Sequence, residues 1–97
     1  MPNIENIDAF EWDEQKNRAN ILNRELDFRF AALVFADDKR LRYIDDRKDY
    51  GETRYQTIGK VLNEILFVAY TIRGAKVRII SARKASRKER NDYENES

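Results

Sequence analysis

Cysteine and histidine are both absent from these 97 residues. Without cysteine there is no disulfide framework, no thiolate metal site and no thiol redox chemistry, and the compartment leans toward the cytosol. Without histidine, the commonest general base and the commonest metal ligand are lost together. Any catalysis must run on Glu, Asp, Lys, Arg, Tyr or Ser, and no metal or cofactor is expected. Glycine occurs three times, with no phosphate-cradling loop, and no nucleophile-base pair of the Ser-His or Cys-His kind can form. No apolar run approaches the roughly 20 residues of a membrane span. The segment Met1 to Phe10 has neither the basic start nor the apolar core of a signal peptide. A soluble, cytoplasmic protein with no membrane association is expected.

What is present is charge. Charged residues make up 38% and hydrophobic residues 41%, with the apolar ones bunched in Phe28 to Phe35 and Ile65 to Ile72. Bunching of this kind supports a folded domain over disorder. A chain this short buries only about two-thirds of its unfolded surface, so one domain over 1-97 with a single core, about 10-94, is expected. The net charge of +1 hides an asymmetry: residues 1–36 hold seven acids and four bases. Residues 73–90 hold eight bases and one acid, Glu89. A local density of that kind suits contact with a polyanion; the alternative is a solvated charged helix, against which the charges begin inside a strand, where solubility does not require them.

Taken in order, Phe10-Glu11-Trp12-Asp13 reads as a short extended lead-in, with Asp13 capping a helix from about Glu14 to Glu25. Ala19, Leu22 and Leu26 form its narrow apolar stripe. Lys16, Asn20 and Arg24 form a separate polar row, either solvent decoration or one wall of a site. Asp27 caps a shorter helix in which Phe28, Ala31, Ala32, Val34 and Phe35 face the core. Arg40 to Asp45 reads as an edge strand, and Asp46 to Thr53 as a polar loop long enough to be functional.

Tyr55 to Lys60 is a second strand, with Gly59 marking a bulge or a close backbone approach. Ile65 to Ile72, apolar on both faces, reads as a central strand. Arg73-Gly74 turns the chain into a strand over Ala75 to Ala82. Ser86-Arg87-Lys88-Glu89 is a capping box that opens a last helix, with Tyr93 as its anchor. Tight turns make this an antiparallel meander. The expected fold class is α+β: a small antiparallel sheet of about four strands, packed by two N-terminal helices and closed by a C-terminal helix, with the ends frayed.

Several pieces together resemble one family. They are Phe10-Glu11-Trp12-Asp13 with Lys16 and Asn20; Phe28, Ala31 and Val34-Phe35; Gly51-Glu52, Arg54 and Gly59; and Arg78-Ile79-Ile80-Ser81-Ala82-Arg83 followed by Glu89 and Tyr93-Glu94. In this order and spacing they resemble the BrnT toxins of type II toxin-antitoxin systems. The resemblance implies a RelE-like fold and a ribonuclease that cuts RNA and arrests translation. It also implies a BrnA-like antitoxin with a ribbon-helix-helix domain, through which the complex reaches its operator DNA. One departure stands out: the helix after Asn20 usually ends in Lys-His-Gly in the family, and here Asn23-Arg24-Glu25 stands instead, with Arg24 at the histidine position.

Cleavage of RNA by attack of a 2′-hydroxyl on the adjacent phosphate needs a base, a charge stabiliser and an acid. Arginine stays protonated at neutral pH and so serves the second role. The candidate catalytic residues are Glu52 as base, with Arg54 and Arg83 clamping the phosphorane-like transition state. Lys16, Arg24, Arg78 and Arg87 are candidate RNA contacts. Tyr43, Tyr50, Tyr55 or Tyr70 would supply any base stacking. A local ion pair between Glu52 and Arg54, and a strand residue Arg78 that merely snorkels, are the structural alternatives. At the level of the whole chain, the alternative is a non-catalytic module that binds only the antitoxin or RNA.

Overall fold

The computed structural model describes residues 10–96. The expectation of frayed ends falls at residues 1–9 and Ser97, outside the described residues. Asn95 and Glu96, expected to fray, lie in the last helix. Strand β1 (Phe10–Trp12) leads into α1 (Glu14–Arg24), a short α2 (Phe28–Ala31) and a 3-10 turn over Ala32–Ala36. Strands β2 (Leu41–Asp45), β3 (Arg54–Val61), β4 (Glu64–Arg73) and β5 (Lys76–Lys84) follow, and α3 (Arg87–Glu96) ends the chain. Strands β2 to β5 form the expected antiparallel meander.

The sheet has five strands in the order β1-β5-β4-β3-β2, not about four, and it is mixed. The added strand is the lead-in Phe10-Glu11-Trp12, which pairs parallel to Val77-Arg78-Ile79. A three-residue strand whose partner lies 67 positions on carries no local signal, because its pairing is settled entirely by tertiary contact. β4 is central, as its two apolar faces require.

One sheet face carries the main core: Phe10, Val68, Leu66, Tyr70, Val77, Ile79 and Ala82 meet Phe28, Ala31, Val34 and Phe35 from α2 and the 3-10 turn. The Phe35 ring lies edge-on to Tyr70 at 4.9 Å. Gly59 sits where this layer is thinnest, since a Cβ there would lie 2.5 Å from Val34 Cγ2 and 3.0 Å from Arg40 Cβ. Of the two roles expected for Gly59, the close approach is the one observed. The bulge falls instead in β5, where Ala69 pairs with Ser81 but Tyr70 with Ile79, leaving Ile80 as the extra residue.

Of the expected apolar stripe of α1, only Leu26 reaches the core. Ala19 is exposed, Leu22 is 82% exposed, and Leu26 lies beyond the helix, which ends at Glu25 in a left-handed conformation. The buried face is polar. Asn17 donates to Asp27 Oδ1 (3.1 Å) and accepts from the Phe28 amide (2.8 Å), and Asn20 donates to the Leu26 carbonyl (2.8 Å). These amides satisfy the backbone of the α1–α2 corner, which no aliphatic residue could do.

On the other face, α3 covers only one end of the sheet, where its Tyr93 and the preceding Ala85 pack with Ile58, Leu41, Ile65 and Phe67. The capping box forms as the sequence predicts: Ser86 N donates to Glu89 Oε1 at 2.8 Å, and Glu89 N donates to Ser86 Oγ at 3.2 Å. Tyr93 anchors the helix through its hydroxyl, which donates to Asp37 Oδ2. Among the described residues, no helix covers the rest of that face.

Candidate functional site

Strand register builds a charged row across the open face. Asp45 lies opposite Arg54, Thr71 opposite Arg78, and Arg78 opposite Glu11. Tyr55 lies opposite Tyr70, so the next rung brings Arg54 to Thr71. Residues directly opposite share a sheet face, and Asp45, Arg54, Thr71, Arg78 and Glu11 therefore form one rung across all five strands. The two arginines are separated by β4 alone, about 10 Å between backbones at the spacing of a sheet.

Glu52 is held against this rung by the loop between β2 and β3. Gly51, at φ +75°, turns that loop, and its amide donates to Asp49 Oδ1. The Thr71 hydroxyl donates to the Thr53 carbonyl at 2.6 Å, tying the loop to the central strand. Glu52 then meets two guanidinium groups, Arg54 Nε at 3.5 Å and Arg73 Nη2 at 3.3 Å. The Glu52 and Arg54 side chains are each about one quarter exposed, so neither is free in solvent. Arg54 also stacks on the Tyr50 ring at 4.1 Å, with its Nε fully shielded. Arg78 reaches Glu11 Oε2 at 3.5 Å.

Arg73 and Glu11 join the site although the sequence did not single them out as site residues, and Tyr50, a candidate for base stacking, is instead stacked on Arg54. Glu11 depends on the unforeseen pairing of β1. Arg73 sits just before the Gly74 turn and could have been found from the hairpin, because it shares the side of β4 that carries Thr71. Asp45 is held well below the usual carboxylate range, chiefly by the Arg47 guanidinium, with a further hydrogen bond from Tyr50. It fixes the loop rather than offering a proton acceptor.

Arg83 stands apart. It lies opposite Phe67, four residues along β4 from Thr71, about 13 Å at the rise of a strand. Its guanidinium stacks on the Phe67 ring at 4.0 Å and donates to both Glu89 oxygens at 2.8 and 2.9 Å. The pair holds the Glu89 carboxyl below its ordinary range, an effect that outweighs burial. Arg83 shares the open face with Arg54 and Arg78 but cannot touch the same phosphate.

The row on α1 belongs to a different place. Lys16, Asn20 and Arg24 form one wall of an open groove whose other side is Phe28, Ile80 and Ser81. β1 pairs with β5 only as far as Ile79, and α1 covers the strand edge beyond it. There Arg24 Nη1 donates to the Ala82 carbonyl at 3.1 Å and leans on Asn20 Oδ1 at 3.5 Å. Lys16 is exposed on the same wall, and Arg87 is the exposed first residue of α3. The two do not converge with the rung. Of the aromatics, Tyr70 is buried in the core, which removes it from base stacking, and Tyr55, half-buried and stacked on it at 5.4 Å, lies on the helix-packed face away from the rung. Tyr43 and Tyr50 remain at the open face.

Among the described residues no helix is long and apolar enough to cross a membrane. A search of curated proteins found no match to the chain. A family model matches residues 12–89, described as the ribonuclease toxin BrnT of type II toxin-antitoxin systems. That span includes the rung from Arg54 to Arg78, the Glu52 loop, the α1 groove, and Arg83 with Glu89. Covering most of the chain, the match places this protein in the BrnT family of ribonuclease toxins.

Proposed function

We propose that this chain is a metal-independent endoribonuclease of the cytoplasm that cleaves RNA and so inhibits translation, and that it is neutralised by a BrnA-like ribbon-helix-helix antitoxin. Operator DNA is reached only through that antitoxin. The observation that supports the reading best is Glu52 set between Arg54 and Arg73 at one end of an open sheet face, one strand away from Arg78. A phosphodiester laid on this face meets guanidinium groups from two strands and a carboxylate beside them.

In this reading Glu52 accepts the 2′-hydroxyl proton, the O2′–P bond forms, and the bond from phosphorus to the 5′-oxygen breaks. The leaving oxygen takes up a proton from water, which balances the one given to Glu52. The products are a 2′,3′-cyclic phosphate and a 5′-hydroxyl. Arg54 carries the growing charge on the non-bridging oxygens, Arg78 holds the same phosphate from the neighbouring side, and Arg83 holds a phosphate farther along the strand. Lys16 and Arg24 guide RNA past the α1 groove, and Arg87 adds long-range attraction. Arg24, occupied with the Ala82 carbonyl, acts as a brace and a charge, and the base falls to Glu52.

A second reading is favoured by one feature of the same face: Arg54, Arg73, Arg78 and Arg83 each have a carboxylate partner within 3.5 Å. A face neutralised in this way suits a module that binds its antitoxin or RNA without cutting. Induction of the chain alone in bacteria, beside Glu52→Gln and Arg54→Ala, separates the two. Growth arrest and RNA cleavage by the parent, lost in both folded variants, support the enzyme. A folded parent that neither arrests growth nor cleaves RNA establishes the second reading.

A further inference from the structure

The free edge of the sheet presents an unmet demand for an acceptor. β2 pairs with β3 on one side, and no described strand flanks it on the other. Just before this strand, Arg40 turns its side chain onto the helix-packed side of the sheet, where its guanidinium lies 5.1 Å from the Phe35 ring. Its Nε and Nη1 are shut off from solvent and have no hydrogen-bond partner. Burial and then Arg42, two residues on, disfavour its charge, against the attraction of Tyr70, Asp37 and Asp38. Beyond them on the same strand Ile44 is 66% exposed.

Arginines at a sheet edge commonly serve to keep strands of other molecules away, and for that purpose the charged head must stand in water. Arg42 fits that role. Arg40 does not, because two of its donors are buried and unmade beside the Phe35 ring, a costly state that an acceptor relieves only by drawing the guanidinium out toward the edge as the partner docks. The groups along the edge fall in a definite order: two guanidinium groups, unpaired backbone, then an apolar side chain. A polypeptide strand answers all three at once, with a carboxylate for the guanidiniums, main-chain hydrogen bonds for β2, and an apolar residue for Ile44. RNA answers only the first. The arginine rung of the proposed ribonuclease site, moreover, lies on the opposite sheet face.

We infer that the outer edge of β2, with Arg40 and Arg42 at its head and Ile44 beyond them, is a docking site for an extended acidic segment of a protein partner, which adds to the sheet as a sixth strand. The inference rests on the family reading only so far as that reading supplies a protein partner, the antitoxin. The contact geometry is independent of whether the chain cuts RNA.

The test uses the whole protein, labelled with nitrogen-15, titrated with a synthetic peptide of alternating glutamate and valine. Parallel titrations use a lysine-valine peptide, inorganic phosphate and a short single-stranded RNA. The Glu-Val peptide is expected to shift the Arg40 Nε–H signal and the backbone amides of Arg42 to Ile44 saturably, and the Lys-Val peptide to leave them in place. Arg40→Gln is expected to weaken binding about tenfold, the effect of one lost charge-assisted hydrogen bond. Ile44→Asp, at an exposed position that cannot disturb the core, is expected to weaken it as well. If the Glu-Val peptide leaves β2 unmoved, or Ile44→Asp binds it as tightly as the parent, the inference is overturned. If RNA or phosphate moves the Arg40 signal at lower concentration than the peptide, the edge is a nucleic-acid contact and the inference is again overturned. Failure of RNA cleavage changes none of these signals, so the two readings fail separately.

Discussion

Tyr93 donates its hydroxyl proton to Asp37 Oδ2 at 2.5 Å, joining the last helix to the end of the 3-10 turn across 56 positions of sequence. Asp37 also accepts from the Lys60 amide at 2.8 Å and the Lys39 amide at 2.9 Å, so one carboxylate ties α3, β3 and the turn together. Burial alone would raise the Asp37 pKa, but these hydrogen bonds together bring it below the ordinary value. Removing the hydroxyl leaves a charged acceptor short of a partner, and Tyr93→Phe is expected to cost about 1.5–3 kcal/mol, measured by urea unfolding.

The same pair sets a pH dependence. Burial, then the hydrogen bond to Asp37, pushes the Tyr93 hydroxyl up to about 12 from its ordinary 10.0. A group whose folded pKa is raised contributes stability that is full below its unfolded value and lost as pH rises through the folded one. Melting temperature should therefore fall more steeply between about pH 10 and 12 in the parent than in Tyr93→Phe. Asp37 works in the opposite sense, since its folded pKa is depressed. Its contribution is full above the ordinary carboxylate range and is lost as pH falls through the folded value. Equal alkaline slopes in parent and variant would remove Tyr93 as the source.

At Gly59 the missing Cβ is a packing requirement. A methyl group there would sit 2.5 Å from Val34 Cγ2, on a fully buried side chain that cannot swing away, and 3.0 Å from Arg40 Cβ. Gly59→Ala should destabilise the fold by about 1–3 kcal/mol through overpacking, against the few tenths gained from a stiffer unfolded chain. Gly51 offers the contrast. Nothing lies within 4 Å of its Cβ position, and only its φ of +75° resists substitution. Gly51→Asn should be far milder in the same unfolding assay.

On α1 the order of side-chain importance is the reverse of the hydrophobic pattern. Asn17→Ala leaves the buried Phe28 amide without its acceptor and Asp27 without a donor, and should cost about 1–3 kcal/mol. Leu22→Ala removes a side chain that is 82% exposed, and should fall within about 0.5 kcal/mol of the parent. Thermal unfolding of the two variants side by side checks the assignment of the helix face.

Particular residues show why some of this was legible in the sequence and some was not. Asp13, Asp27 and the Ser86–Glu89 box act within a few residues of themselves, and all three cap where short-range chemistry predicts. The meander from β2 to β5 follows from tight turns and from the doubly apolar β4. Three features required long-range information: the parallel pairing of β1, the asparagine face of α1, and the five-strand rung. A rung is a property of register, and register joins Glu11 to Arg78 and Asp45 to Arg54 across spacings that no periodicity encodes. Glu52 and Arg54 meet at one end of the sheet, with Arg78 on the same rung one strand beyond β4. Arg83 lies farther along the same face, and Lys16 and Arg24 lie behind the edge of β5. Chemistry chose the residue types, and topology decided which of them are neighbours.

The clamp between Arg83 and Glu89 yields a prediction in which stability and binding move in opposite directions. Glu89 closes the capping box with Ser86 N and holds both guanidinium nitrogens of Arg83, so one carboxylate organises the start of α3 and fixes the position of Arg83 over Phe67. Glu89→Gln keeps an oxygen for the cap but loses the charge and the two-pronged pairing. A cost of about 1–2 kcal/mol is expected, smaller than for Glu89→Ala, which loses the cap as well. Since the folded Glu89 pKa is depressed, this stability is full above the ordinary carboxylate range and is lost as pH falls through the folded value. The difference between parent and Glu89→Gln should therefore shrink in acid. If Arg83 holds an RNA phosphate, that phosphate competes with Glu89 for the same donors. Glu89→Gln should then bind single-stranded RNA more tightly, by about tenfold at low salt, with a steeper loss of affinity as salt is added. A variant that unfolds more easily yet binds RNA no better than the parent would confine Arg83 to holding α3 in place.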